Sequence, residues 1–381
     1  MTLFPYDPAA AREACHEIDE WRARLDRAGA LPRRWAGSLR RDLRAEAVAA
    51  SVGMEQVPVT VDEVRRILAG DRPSSVAPED AALVLGYRHA MEFVLRRADD
   101  PGFRWSRELI VGLHDHVVGG NYALGAGRLA TGQRWVVDHR TGREVFVPPP
   151  AEGVPNLVDR VCTRMEAGHE HAAMGSAWIH VTTAAIHPFR DGNGRVCRVL
   201  ASLAMYQGGF QRSPFTSLEE WWGRHLGEYY AAFACLGPAF DEGADVTPFV
   251  VAHVGAQLSQ VRALDLRQKV ERRIWEALEA VVEDARLQPR VVNAAWDAFF
   301  ERDVTPAYYI PLADVSRATA TNDLAAAVAA GLLEPRGGGR SRRYVAGPAL
   351  HEHVASILGV TGIEHAPRAR IVARLTDDLA E

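Results

Sequence analysis

His187-Pro188-Phe189-Arg190-Asp191-Gly192-Asn193-Gly194-Arg195-Val196-Cys197-Arg198 interrupts a helical run, and the fold is read outward from it. Pro188 disfavours helix at the residue before it, so the helix carrying Ile186 is expected to stop at His187 and present the imidazole at its end. Gly192 and Gly194 allow close backbone approach, and Asp191 or Asn193 can cap a helix starting near Arg195. Amides at a helix N-terminus form an anion site. Arg195 and Arg198, three apart, lie near one another on its first turns and suit phosphate oxygens. Asp191 offers the hard oxygen that phosphate-bound magnesium prefers. One loop thus supplies a base, a metal ligand, an amide cradle and two guanidinium groups. A glycine-rich turn between two core helices, with His187 only a cap, is the bland reading of the same residues.

On either side, 157–186 and 195–206 have helical spacing. Upstream, Arg134-Trp135-Val136-Val137 and Glu144-Val145-Phe146-Val147 flank a polar, glycine-containing turn and predict a hairpin ended by Pro148-Pro149-Pro150. Leu39, Leu43, Ala47 and Ala50 predict an amphipathic helix, and Asp71 to Pro78 a break near residue 75. Helical patterning returns over 218–234 and 248–282. Between Arg290 and Val345, a helix over 323–330 is followed by two β-like runs around Arg336-Gly337-Gly338-Gly339-Arg340-Ser341.

Composition narrows the function classes. With 44 Lys and Arg against 49 Asp and Glu, the net charge of -5 gives no global attraction to nucleic acid or an anionic membrane, so any polyanion site must be local. The four cysteines form no C-x-x-C pair, which disfavours a disulfide framework or zinc knuckle and fits a reducing cytoplasm. The opening MTLFPYDPAAAREACHEIDEW lacks the basic start and apolar run of a signal peptide. Apolar stretches such as Ala325 to Leu333 are far short of the roughly 20 residues needed to span a bilayer, so no membrane partner is expected.

The loop resembles the signature of the Fic family, H-x-F-x-[D/E]-G-N-G-R-x-x-R, with His187, Phe189, Asp191, Gly192, Asn193, Gly194, Arg195 and Arg198 at every specified position. The hairpin ending in Phe146-Val147-Pro148-Pro149-Pro150 is similar to the Fic flap, which pairs with a target peptide; Gly125 and Arg128 resemble the G-x-x-R before it. Glu228-Tyr229-Tyr230 is similar to a paired-tyrosine segment near the adenine pocket. The resemblance implies a protein adenylyltransferase that moves AMP from ATP to a Ser, Thr or Tyr hydroxyl of a target protein, with magnesium as cofactor. His187 would be the general base and Asp191 the metal ligand. Gly192, Asn193, Gly194, Arg195, Arg198, Tyr229 and Tyr230 would hold the nucleotide, and Val145, Phe146 and Val147 would dock the target. Gly194 argues against the phosphorylating variants that carry lysine there.

Ser51-Val52-Gly53-Met54-Glu55-Gln56 resembles the inhibitory motif [S/T]-x-x-x-E-[G/N] of the family, departing from it at Gln56. The resemblance implies that Glu55, with Ser51, competes with the γ-phosphate for Arg198. Removal of AMP by Glu55 through an oriented water is the rival enzyme reading. A DNA-binding regulator with a nucleotide-sensing core is a third. His180 is expected in the core, and His114-Asp115-His116 and His169-Glu170-His171, as i, i+2 pairs, at the surface. The fold expected is mainly α, a Fic-type helical core with a small hairpin flap and a C-terminal winged helix-turn-helix module. The expected domains are 1–75 with the inhibitory motif, 76–265 as the core, 266–290 as a connecting helix, 291–347 as the winged helix and 348–381 as a tail. Arg336, Arg340, Arg342 and Arg343 make DNA a candidate partner, and a homodimer is another.

Overall fold

The computed structural model describes residues 3–27, 45–138, 141–210, 218–339 and 342–380. Leu39 and Leu43 of the expected first amphipathic helix, and Arg340 of the basic run, lie outside them. The chain divides into two compact units, Met1–Arg262 and Ala263–Glu381, and the division falls within one helix, Thr247–Asp284.

Helices α1 (Arg12–Arg27), α2 (45–53) and α3 (Val61–Leu68) open the first unit, and two later helices form its centre: α7 (Ala172–Ile186) and α8 (Asn193–Gln207). In α7, 13 of 15 residues are buried, so small and apolar side chains surround it where an exposed helix would carry a polar face. The two pack extensively against each other, and α4 (Pro78–Ala98), α5 (Arg107–Val117) and α6 (Val154–Glu166) enclose them. The helix expected over 157–186 is broken between α6 and α7, where Gly168 takes φ 78°. The run over 218–234 is likewise divided, into Glu219–Arg224 and Leu226–Ala232, at His225 with φ -122°.

The strands are sparse. β1 (Val136–Asp138) and β2 (Arg143–Phe146) form the expected antiparallel hairpin, with an irregularity between Val136 and Val137. In the second unit, helices Val292–Phe299, Pro306–Ala313 and Arg317–Ala329 precede the antiparallel pair β3 (Leu333–Arg336) and β4 (Arg343–Ala346). Val304 bridges to Tyr344 beside that pair. Asp323, nearly buried, accepts two hydrogen bonds from Arg290 and one from the Tyr309 hydroxyl, which compensates its charge. Among the described residues, no helix is long and apolar enough to cross a membrane.

Candidate active site

His187 ends α7 in a left-handed conformation, φ 49° and ψ 58°, with its amide still bonded to the Thr183 carbonyl. Its imidazole donates to the Ala184 carbonyl, so the neutral ring keeps its other nitrogen as an acceptor. Burial lowers its pKa to about 4, and Arg134 adds to the depression while Ala184, Glu55 and Asp191 oppose it. At neutral pH the ring is uncharged and able to take up a proton.

The next five residues form a turn closed by Asn193. Its side-chain oxygen accepts from the Phe189 amide at 2.9 Å and its NH2 donates to the Phe189 carbonyl at 2.8 Å. Asn193 therefore braces the turn, a different task from the helix cap expected of it. Gly192 takes the N-cap position at φ 75°, where a Cβ would also meet Val118 Cγ1 at 2.8 Å. The first intrahelical bond runs from Val196 to Gly192, leaving the amides of Asn193, Gly194 and Arg195 with no acceptor inside the helix. Asp191 is half-exposed, accepts from the Gly192 amide at 2.6 Å and lies 3.6 Å from Arg195. Arg195 is buried, donates to the Val117 carbonyl at 2.9 Å, and its buried Nε has no partner among the described residues. These features fit an anion held at the start of α8.

His114 supports this turn, contrary to its expected place at the surface. It is fully buried; the Gly127 amide donates to Nδ1 at 3.2 Å, so Nε2 carries the proton and donates to the Asp191 carbonyl at 3.0 Å. The ring lies flat on Phe189, with centroids 3.9 Å apart and planes 3° apart. His169 is also drawn inward, stacking on Tyr6 and hydrogen-bonded to its hydroxyl. Spacing within a helix tells which face a residue shares with its neighbours, and the face bearing His114 turns toward the loop.

The segment at 51–56 reaches the other side of the loop. Arg198, almost fully buried, donates from Nε to Ser51 Oγ at 3.0 Å, and from one terminal nitrogen to the Ser51 carbonyl and Glu55 Oε1, both at 2.9 Å. Burial would raise the Glu55 pKa, but the charges of Arg198 and Arg195 and the Arg198 hydrogen bond hold the carboxyl below its ordinary value. Glu55 lies so close over Gly194 that a Cβ there would collide with Oε1. The departure at Gln56 has a geometric meaning. The Gln56 amide bonds to the Gly53 carbonyl and Val57 to Val52, with Gln56 at φ 62°, the pattern of a Schellman helix end whose left-handed position favours glycine.

Tyr229 is placed differently from the nucleotide contact expected of it. Tyr229 is 5% exposed, its hydroxyl 3.1 Å from His180 Nε2 and hydrogen-bonded to Arg198, and its ring packs with Met54, Trp222 and Phe233. It offers no open face to a base and supports Arg198 from behind. Tyr230 is exposed, with its hydroxyl 3.4 Å from the Met54 carbonyl. On the hairpin, Val145 and Val147 are exposed and Phe146 is buried. Val147 is not available for pairing with another chain, because its amide donates to the Pro238 carbonyl and its carbonyl accepts from Phe240. Sequence reading missed Arg134, which donates to the carbonyls of His187, Ile186, Gly132 and Pro149.

Comparison with known proteins agrees with this architecture. Residues 104–205 match the Fic/DOC family profile. A protein adenylyltransferase Fic from Nematostella vectensis is 29% identical over 130 residues, covering 33% of this chain and 29% of that protein. Among solved structures, a Fic family protein from Desulfovibrio desulfuricans G20 is similar over 91% of this chain and 98% of its own, with TM-score 0.57 and 23% identity. Fic-1 from C. elegans is similar over 67% of this chain and 72% of its own, with TM-score 0.53 and 22% identity. The chain carries a Fic/DOC domain at 104–205 within a mainly helical, Fic-type fold.

Proposed function

We propose that this protein transfers AMP from ATP to a Ser, Thr or Tyr hydroxyl of a target protein and that Glu55 restrains the reaction. The observation that carries this reading is the Glu55 carboxylate, which lies over the N-terminus of α8 on Arg198, where the amides and guanidinium groups suit a phosphate. His187 takes the hydroxyl proton as that oxygen bonds to the α-phosphorus; the bond between the α-phosphorus and its bridging oxygen breaks, and pyrophosphate leaves. The amides of Asn193, Gly194 and Arg195 cradle the phosphates, that of Gly192 being held by the Asp191 carboxylate instead; the Arg195 guanidinium offsets charge on the leaving group and Arg198 holds the γ-phosphate once Glu55 withdraws. Asp191, a half-exposed carboxylate beside the phosphate cradle, would hold a magnesium ion, whose charge would offset that of the triphosphate. The Glu55→Gly protein should move label from α-labelled ATP onto a lysate protein or itself. Label appearing from γ-labelled ATP instead would point to phosphoryl transfer and overturn the reading.

The hydrolytic alternative draws on the same carboxylate, which is one-quarter exposed and near enough to His187 to interact with it, a position from which it could orient water. Loss of AMP removal in Glu55→Gly, with no gain in transfer, would favour it. The helices and hairpin of 291–347 support a winged helix, and the exposed Arg336, Arg342 and Arg343 suit contact with DNA. Salt-sensitive DNA binding that survives His187→Ala would support this further role in a cytoplasmic protein.

A further inference from the structure

Arg134 stands at the foot of the hairpin, two residues before β1, and is 6% exposed. Its Nε donates to the His187 carbonyl at 2.8 Å, and its terminal nitrogens donate to Pro149 at 2.6 Å, Gly132 at 3.1 Å and Ile186 at 3.5 Å. Every one of these acceptors is a main-chain oxygen. They belong to three places: the segment entering the hairpin, the segment leaving it and the end of α7. A buried guanidinium at a helix C-terminus meets carbonyls that have no helical donor, and its charge complements the negative end of the helix dipole.

The place it grips is strained. His187 is a non-glycine residue at φ 49°, a conformation that persists only where its surroundings over-determine it. Arg134 holds the carbonyls on both sides of the His187 amide and main chain, while the Ala130 amide donates to Pro188 at 2.9 Å from the same entering segment. We infer that Arg134 is a positioning residue that locks His187 in its left-handed conformation and ties it to both ends of the hairpin, so that the strand docking the target and the base accepting its proton move as one piece. This rests on the reading of His187 as general base and of β2 as the docking strand. Arg134 touches neither substrate in this scheme and acts through the main chain.

The test compares Arg134→Met, which keeps much of the stem and removes all the donors, with Arg134→Lys, which keeps charge and some of the donors. Both are made in the Glu55→Gly protein, with amide exchange and transfer kinetics measured together. For Arg134→Met, exchange over 143–147 should quicken roughly tenfold while α8 keeps its protection. Turnover should fall about 10–100-fold with ATP affinity within about twofold, the scale of a base displaced by roughly an ångström. Arg134→Lys should lie between the two. Unchanged hairpin exchange overturns the inference, as does quickened exchange with unchanged turnover. If Arg134→Met loses protection in α8 as well, the lysine variant decides by the same criteria. If the Glu55→Gly protein with Arg134 intact transfers no AMP, the proposed function fails, while hairpin exchange alone still decides whether Arg134 pins the hairpin.

Discussion

Gln56→Gly should tighten the restraint on the active site. In the Glu55-engaged structure Gln56 lies at φ 62°, directly after Glu55, in the left-handed position of the helix end. A non-glycine residue there costs about 1–2 kcal/mol, and glycine removes that cost. Glycine also frees the chain when the turn is released, which returns about 0.4–1 kcal/mol to the disengaged state. The net gain for the engaged turn is about 0.5–1 kcal/mol, a shift of roughly 2–5-fold in its population. Transfer of α-label from ATP should therefore fall by that factor in Gln56→Gly, with no fall when the same change is made in Glu55→Gly, where there is no carboxylate to hold in place. A rise in transfer, or an equal fall in the absence of Glu55, would refute the link between turn geometry and restraint.

Three further outcomes follow from the same contacts. Because the His187 pKa is lowered to about 4, its neutral form persists well below the usual histidine range; transfer should keep most of its rate at about pH 5.5 and fall as pH drops toward the lowered pKa. An acid limb centred near about 6.5 in the pH profile of kcat/KM would contradict this. His114→Phe keeps an aromatic ring against Phe189 but leaves the Gly127 amide and Asp191 carbonyl without partners, a cost of about 2–4 kcal/mol; Tm should drop by roughly 5–10 °C in calorimetry, and a Tm within about 1 °C of wild type would remove His114 from the account. Val145→Pro, which removes a main-chain donor from β2, should weaken target modification more than ATP binding, and equal loss of both would point to misfolding.

The helical core and the hairpin were legible because apolar spacing and glycine-containing turns are local signals. The turn at 187–198 was legible for the same reason: histidine, carboxylate, glycines and arginines are adjacent in sequence, and proline fixes where the helix stops. The approach of Glu55 to Arg198, 143 residues away, was expected only from resemblance, since neither periodicity nor charge says which arginine a carboxylate will meet. His114 and Arg134 eluded sequence reading because their partners are main-chain groups, which leave no mark on side-chain pattern. Tyr229 looked suited to a base because an aromatic ring fits a base or a core equally well, and burial behind Arg198 decides between them.

The most direct test of AMP transfer restrained by Glu55 is the amount of α-label carried from ATP onto protein by wild type, Glu55→Gly and Glu55→Gly with His187→Ala, at equal ATP occupancy. One charge-assisted hydrogen bond at Arg198 contributes about 1.5–3 kcal/mol, so Glu55→Gly should exceed wild type by about 10–150-fold. The double variant should bind ATP about as tightly and lose transfer by about 10²–10⁴-fold. No gain on removing Glu55, or undiminished transfer without His187, would contradict the account.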